Sequence, residues 1–174
     1  MTAIWIVLLM AAASGQALAS DAKPPEQAAR GQAFFFDENV VAHCGGCHSL
    51  AGKGTAVGPD LSRLARLSAS GIATAIRATL TEYVQTVKLK AGGEFPGIPA
   101  AKSTGTVQYY DLSAKPPALR KFEPAEVVST RENTTWKHPP SRAGFTAQQL
   151  ADVIAYIKWA SYGDTKVVSP DEIE

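Results

Sequence analysis

The sequence places two cysteines and a histidine within five positions, in the order Cys44-Gly45-Gly46-Cys47-His48. Two thiols at this spacing can each add to one vinyl group of a haem, and a His directly after the second thiol then faces the iron as its proximal ligand. The paired glycines keep the turn between the thiols narrow and flexible. The pentapeptide therefore predicts one covalently attached haem c, bonded to Cys44 and Cys47, with His48 on the iron.

Two other kinds of site use the same residue types. A thioredoxin-like redox pair follows a strand and opens a helix, and no strand pattern precedes Cys44. A zinc site needs four ligands, and beyond the two thiols the sequence offers only His43, His48 and His138. Their positions do not repeat the short spacing of zinc modules, so the pattern favours haem attachment over both alternatives.

The start of the chain has the character of an export signal. Residues 4–13 form an apolar run, and Ala17-Leu18-Ala19 has the small-x-small form of a signal-peptidase site. The run is shorter than the about 20 apolar residues that span a bilayer, so we predict a signal peptide at residues 1–19 and a periplasmic or otherwise exported protein. No Lys or Arg precedes the run, which leaves an uncleaved anchor as the alternative, and membrane contact is expected only in that case.

Composition and charge limit the remaining possibilities. The chain has 174 residues and a formal net charge of +1, so it lacks the basic surface typical of nucleic-acid-binding proteins, and no nucleic-acid partner is expected. Both of its cysteines belong to the pentapeptide, which leaves none for a structural disulfide in an oxidising compartment. The length suits a single domain, which we place at residues 20–163, followed by a solvated C-terminal tail at residues 164–174.

Three segments have the pattern of amphipathic helices. Residues 26–36 place small and apolar side chains on one face, and Ser70 can cap a second helix that runs to about Leu80 with the same spacing. The last helix begins with a capping box of Thr146 and Gln149 and runs to Gly163. These three helices are the predicted helical core.

The middle of the chain, residues 81–133, has a different period. Apolar and polar residues alternate over residues 83–90 and again over residues 106–112, and Gly92-Gly93 supplies a turn. The segment therefore predicts a small antiparallel sheet inserted between the second helix and the last. The remaining strand candidates are shorter and lie at residues 118–122 and 127–130.

Together these features resemble a class I c-type cytochrome with one haem. The resemblance rests on the pentapeptide, a first helix bearing Gly31, the Gly58-Pro59-Asp60-Leu61 run and a last helix bearing Tyr156. It implies a mainly α cytochrome c fold, with a small antiparallel β insertion between the second core helix and the distal-ligand loop. It also implies that the first and last helices cross closely at Gly31 and Tyr156, and that Pro59 lies near the proximal His48. The insertion resembles bacterial predicted haem-binding domains, in which a compact Sm-like strand unit separates the helical core from the distal-ligand loop.

Methionine is the usual distal ligand in that family, and this chain offers none after the predicted signal peptide. Its two Met residues are Met1 and Met10. Where the family has a Met-Pro pair, this sequence has His138-Pro139, so the resemblance implies His138 as the second axial ligand of a bis-His iron. Lys137 is a competing donor, although an amine needs a large pKa shift to bind there. A second imidazole in place of a thioether lowers the expected reduction potential.

The resemblance implies a carrier of single electrons rather than an enzyme. Its partner is then a redox protein, namely a dehydrogenase, an oxidase or another cytochrome. Two alternatives stay open at this point. An iron whose sixth position is vacant or displaceable predicts a haem-based sensor or binder of small ligands. A cytochrome of this kind can also serve as the electron-transfer subunit of a larger redox complex.

Overall fold

The computed structural model describes residues 22–39, 43–78, 83–100, 104–139 and 145–173. The predicted signal peptide lies outside these residues, as does the predicted end of the second helix. About 37% of the described residues are helical and about 23% lie in strands. None of the helices among them has both the length and the apolar character that crossing a membrane requires.

The first and last helices pack across one another at a glycine. Helix α1 spans Glu26–Phe36 and helix α3 spans Ala147–Tyr162. A β-carbon on Gly31 would overlap the backbone carbonyl of Asp152 and would lie 2.9 Å from Cβ of Tyr156. Only a residue without a side chain allows so close an approach of two helices, and the predicted crossing at Gly31 and Tyr156 is confirmed.

The second and last helices begin at capping residues, but the second is capped by a different serine from the one predicted. Thr146 and Gln149 form the predicted capping box, in which each side chain accepts a hydrogen bond from the backbone of the other. Helix α2 spans Ala69–Arg77 and is capped by Ser68, which accepts the N–H of Gly71 at 3.1 Å. The predicted start was two residues too late, because serines suited to cap the helix stand at both positions 68 and 70.

An ion pair between the half-exposed Arg30 and the buried Asp152 reinforces the crossing of α1 and α3. Asp152 is 2% exposed, and its carboxylate accepts hydrogen bonds from Nε of Arg30 at 2.9 Å and from Nη2 at 3.2 Å. Gln148 donates to the same carboxylate at 2.9 Å. Burial alone would raise the pKa of Asp152, but the hydrogen bonds from Arg30, Gln148 and Gln27 and the charge of Arg30 outweigh it and hold the pKa below the usual range.

Replacing Asp152 by Asn is expected to lower the free energy of unfolding by about 1–2 kcal/mol at pH 7, because an amide cannot replace the charge that Arg30 meets. The folded pKa of Asp152 lies below the unfolded value of about 3.9. The carboxylate therefore stabilises the fold above that value, and the stabilisation is lost as the pH falls through the folded pKa. Urea unfolding at pH 7 and pH 3 measures both effects, and the gap between variant and wild type should narrow at pH 3.

Glu26→Gln is the matched control for that variant. Glu26 meets the same Arg30 at 3.0 Å, but 93% of its side chain is exposed, so its removal is expected to leave stability unchanged. Equal losses in the two variants would contradict the importance of the buried carboxylate.

The end of the chain packs against the helices, and the predicted solvated tail is wrong. Val168 is 3% exposed and Ile173 is 1% exposed, and both belong to the helical core. The side-chain amide of Gln27 donates to the carbonyl of Val168 at 2.8 Å and accepts its N–H at 2.9 Å. Val168 and Ile173 lie in a segment that is otherwise mostly polar, and their spacing has no period that predicts burial.

The described residues contain seven strands in two antiparallel sheets. The strands are β1 (Ser49–Leu50), β2 (Lys53–Gly54), β3 (Gln85–Leu89), β4 (Glu94–Pro99), β5 (Val107–Asp111), β6 (Ala118–Phe122) and β7 (Val127–Glu132). The first two pair with each other, and the other five form one sheet in the order β6-β5-β4-β3-β7. Val87, Phe95 and Phe122 form a buried cluster of their own in this sheet, separate from the helical core.

The predicted mainly α fold with a small inserted sheet is wrong. The five-stranded sheet has its own core, and strands and helices are both major parts of the chain. Of the five strands in this sheet, the one that the sequence does not predict is β4, which pairs with β3 on one side and with β5 on the other. Pro96 and Pro99 lie within it, and because proline cannot donate to a ladder, such a segment does not look like a central strand.

Candidate haem site

The pentapeptide forms a compact turn between α1 and the hairpin of β1 and β2. Cys44–Gly46 is a short 3₁₀-helix, and the N–H groups of Cys47 and His48 both donate to the carbonyl of Cys44, at 3.2 and 2.8 Å. The N–H of Gly58, in the following loop, donates to the carbonyl of Cys47 at 2.7 Å. Both cysteines are free thiols. The backbone thus holds two thiols on one short turn.

The loop after the hairpin orients the ring of His48. Nδ1 of His48 lies 2.7 Å from the carbonyl oxygen of Pro59. When Nδ1–H donates to that oxygen, Nε2 keeps the lone pair that can bind a metal. Gly58 lets the loop pass close to the ring, since a β-carbon there would lie 2.6 Å from Cε1 of His48. Asp60 then caps the 3₁₀-helix Leu61–Arg66, so the four-residue run both supports the imidazole and begins the next element.

The surroundings of His48 favour its neutral form. Burial lowers the pKa of its imidazole more than the hydrogen bond to Pro59 raises it. A neutral imidazole is the form that binds metals. The ring is therefore prepared for metal ligation at neutral pH.

A second imidazole faces this ring. The ring centroids of His48 and His138 are 5.8 Å apart, with an angle of 38° between the ring planes. Nδ1 of His138 lies 2.8 Å from the carbonyl oxygen of Pro139, so in both histidines the ring nitrogen held by a carbonyl is Nδ1. Two imidazoles on one metal, with bonds of about 2.0 Å each, hold their nitrogens about 4 Å apart. Because each ring centroid lies about 1 Å beyond its nitrogen, such a pair has centroids about 6 Å apart, close to the 5.8 Å found here.

Comparison with known families decides the class of the protein. The family model described as cytochrome c matches residues 28–115. The chain belongs to the cytochrome c family. No curated protein gave a match to it. The matched region contains the pentapeptide, α2 and β1 to β5, and it ends before His138 and α3.

Membership in the cytochrome c family brings a cofactor and a general role. The family binds covalently attached haem c, so the predicted cofactor is confirmed. Its role is electron transfer with a redox partner rather than catalysis. The side chains of the site fit such a group, because this cytochrome combines two free thiols on one turn with two facing imidazoles.

The thiols do not have the properties of a redox-active pair. Burial raises the pKa of Cys44 to about 11, and burial also raises the pKa of Cys47. Thioredoxin-like attack needs a thiolate with a lowered pKa. The environment of the two cysteines in this cytochrome therefore disfavours the redox alternative.

The zinc alternative also lacks its ligand set. Within the part of the chain that the structure describes, no three or more His, Cys, Asp and Glu side chains are grouped so as to hold a metal ion. His43 lies against the attachment turn, where a β-carbon on Gly46 would be 2.9 Å from its Cδ2. A Cys2His2 arrangement is thus not found among these residues.

Lys137 has a different environment from its neighbour His138. Lys137 is exposed, whereas His138 is partly buried and faces His48. An amine that binds iron must first lose its proton, and burial is the usual means of lowering its pKa. Of these two candidates for the distal position of the cytochrome, the imidazole is the better placed.

Two residues near His138 belong to the site although the sequence analysis did not assign them there. The indole of Trp136 meets the His138 ring edge-on, with centroids 6.2 Å apart and an angle of 88°. The side chain of Asn133 accepts hydrogen bonds from Thr135 and Trp136. The run Asn133-Thr134-Thr135 does predict a turn, because the side chain of Asn often forms a hydrogen bond with the backbone two residues further along the chain.

Proposed function

We propose that this cytochrome is an exported mono-haem electron carrier whose iron is bound axially by His48 and His138. In this proposal Cys44 and Cys47 form the two thioether bonds to the haem. The observation that carries it is the pair of facing imidazoles, each with Nδ1 held by a proline carbonyl. When bound, the haem supplies an iron that cycles between ferric and ferrous states and so exchanges one electron at a time.

The chain's own residues determine how that iron behaves. The Pro59 and Pro139 carbonyls orient the two rings and make them better donors, as partners of the remote ring nitrogen do for ligating histidines. Two imidazoles favour a lower reduction potential than an imidazole and a thioether. After Met10 the sequence contains no methionine, which supports the low-potential assignment.

The position of His138 also weighs against the sensor function. A sensor or small-ligand binder needs an open or easily vacated sixth position. Here an imidazole occupies the facing position, and its Nδ1 is within hydrogen-bonding distance of a backbone carbonyl. These contacts favour an electron carrier over a ligand binder, and the partner of that carrier is a dehydrogenase, an oxidase or another cytochrome.

The carrier is proposed to work outside the cytoplasm. The apolar run and the small-x-small site in residues 1–19 support export. The +1 formal charge leaves docking to local surface patches rather than to a strong overall field.

Replacing His138 tests the axial assignment. The ferric wild-type protein is expected to be low-spin in optical and low-temperature paramagnetic resonance spectra, and His138→Ala is expected to become high-spin because one strong axial ligand is lost. His138→Met is expected to raise the reduction potential by about 0.1 V, within the range of about 0.8 V over which axial ligands set haem potentials. Spectra and potentiometry of the purified proteins measure both changes.

Lys137→Ala is the control for these variants, because Lys137 adjoins His138 but is exposed. Its spectrum is expected to match the wild type. A high-spin wild-type protein, or a His138→Ala spectrum equal to that of the wild type, would exclude bis-His ligation. A change in Lys137→Ala alone would assign the distal position to the amine.

A further inference from the structure

The segment that leads from the sheet to His138 is organised by one side chain, Asn133. Its Oδ1 accepts the N–H of Thr135 at 3.1 Å, the hydroxyl of Thr135 at 3.0 Å and the N–H of Trp136 at 2.7 Å. A single carbonyl oxygen that receives three donors closes a tight turn directly after β7. The turn fixes the backbone two residues before His138.

The backbone of Asn133 ties this turn to the sheet. Strands β3 and β7 are paired as far as Gln85 and Glu132, and the N–H of Asn133 continues the ladder by donating to the carbonyl of Val84 at 2.9 Å. Val84 is fully buried. The backbone of Asn133 therefore anchors the turn to the end of the sheet, while its side chain closes the turn itself.

The same end of the sheet lies within electrostatic range of the attachment turn. Tyr83, next to Val84, is close enough to Cys47 that the thiol contributes to the raised pKa of the phenol, although burial is the larger cause. The other strand of the pair continues through the turn to Trp136, whose indole meets the His138 ring edge-on. One end of the β3–β7 pair thus carries the segment that leads to His138.

We infer that Asn133 is the positioning residue that holds His138 opposite His48. This inference rests on the proposed function, because it concerns the ligand that His138 provides. The Asn133 turn restricts the segment before His138, and the Trp136 ring restricts the angle of the imidazole. Without the turn, the segment is expected to spend more time with His138 away from the facing position.

The expected consequence is a larger fraction of molecules with an open distal position. An external ligand binds at a rate proportional to that fraction. Three hydrogen bonds depend on Oδ1 of Asn133. The loss of one or two of them is enough to change the equilibrium between the open and closed distal positions about tenfold. Asn133→Asp keeps an acceptor oxygen in the same place and should retain the closed segment.

The test uses the haem-loaded ferric protein and cyanide, which binds the iron after the imidazole has left. We expect cyanide to bind about tenfold faster to Asn133→Ala than to the wild type and within about twofold of the wild-type rate to Asn133→Asp. Stopped-flow absorbance measures these rates, and paramagnetic resonance of the cyanide-free protein reports the His138 ring angle. Asp164→Ala is the matched control, since Oδ1 of Asp164 closes a similar turn by accepting the N–H of Lys166 at 3.0 Å.

The outcomes separate this inference from the proposed function. His138→Ala must bind cyanide much faster than the wild type if His138 is the ligand, and equal rates would overturn the proposed function. If His138→Ala is fast but Asn133→Ala stays at the wild-type rate, only the positioning role is wrong. An equal acceleration in Asp164→Ala would also overturn the positioning role, because it would trace the effect to general destabilisation.

Discussion

Replacing Gly31 by alanine is expected to lower the free energy of unfolding by about 3 kcal/mol, even though alanine is the better helix former. The added methyl group would meet the backbone carbonyl of Asp152, together with Cβ of Tyr156 at 2.9 Å. A backbone carbonyl in the middle of α3 cannot rotate away, so the two helices must separate. Urea unfolding of the haem-loaded protein, followed by circular dichroism, measures the loss.

The consequence of that change extends to the site. Phe36, at the end of α1, contacts the rings of Phe35 and Tyr156, with centroids 4.9 and 6.2 Å apart. A β-carbon on Gly45 of the attachment turn would lie 2.6 Å from Cε1 of Phe36, so this ring supports the turn. Separation of α1 from α3 is therefore expected to loosen the thiol-bearing turn as well as the core.

Gly71→Ala is the matched control, because Gly71 also lies within a helix. A β-carbon at Gly71 would lie 3.2 Å from Cβ of Leu67 and 3.2 Å from Oγ of Ser68. Both neighbours can give by the small amount that this spacing requires while Ser68 keeps its capping hydrogen bond to the Gly71 N–H, and the gain in helix propensity of about 1 kcal/mol offsets the remaining contact. A loss at Gly71 as large as that at Gly31 would show that the helix crossing is not the cause.

The elements that sequence predicts well are those whose signals are local. The bounds of α1 match the predicted residues 26–36, and α3 begins at the Thr146 capping box and ends at Gly163, which has a left-handed φ of 69°. Capping and glycine ends depend on a few neighbouring residues. The attachment turn is local in the same sense, since five consecutive residues specify its chemistry.

The features that sequence did not predict depend on distant partners. Gln27 pairs with Val168, 141 positions away, and nothing near either residue indicates that pairing. Strand β4 is central only because β3 and β5 flank it, and its two prolines conceal it in the sequence. The mainly α prediction failed for this reason, since the size of a sheet depends on pairing that no single segment records.

The candidate haem site also combines features with local sequence signals and features that depend on distant residues. The resemblance to class I cytochromes implies that Pro59 lies near His48, and the structure has the Pro59 carbonyl oxygen 2.7 Å from Nδ1 of His48. The turn at Asn133 is local too, but its importance comes from the distant Val84 carbonyl and from the His48 ring that His138 faces. Neither the hydrogen bond to the Val84 carbonyl nor the position of the His48 ring can be predicted from residues 133–138 alone.

Replacing both cysteines of the attachment turn by alanine is expected to abolish covalent haem. Each thiol can form one bond to the haem, so Cys44→Ala and Cys47→Ala should each retain one bond and remain haem-positive, whereas the double variant retains none. Haem staining after denaturing electrophoresis distinguishes these cases, together with the mass of the intact chain. The test requires expression in cells that attach haem c.

His138→Ala is the control that separates covalent attachment from axial ligation. It keeps both thiols, so it should stain like the wild type after denaturation while its ferric spectrum becomes high-spin. The double cysteine variant is expected to show the opposite result. Its haem stain is lost after denaturation, but its ferric spectrum before denaturation stays low-spin, because His48 and His138 can still bind haem without a covalent bond. Haem that stays with the double variant through denaturation would contradict attachment at the two thiols, and because the chain has no other cysteine, it would require a different covalent bond.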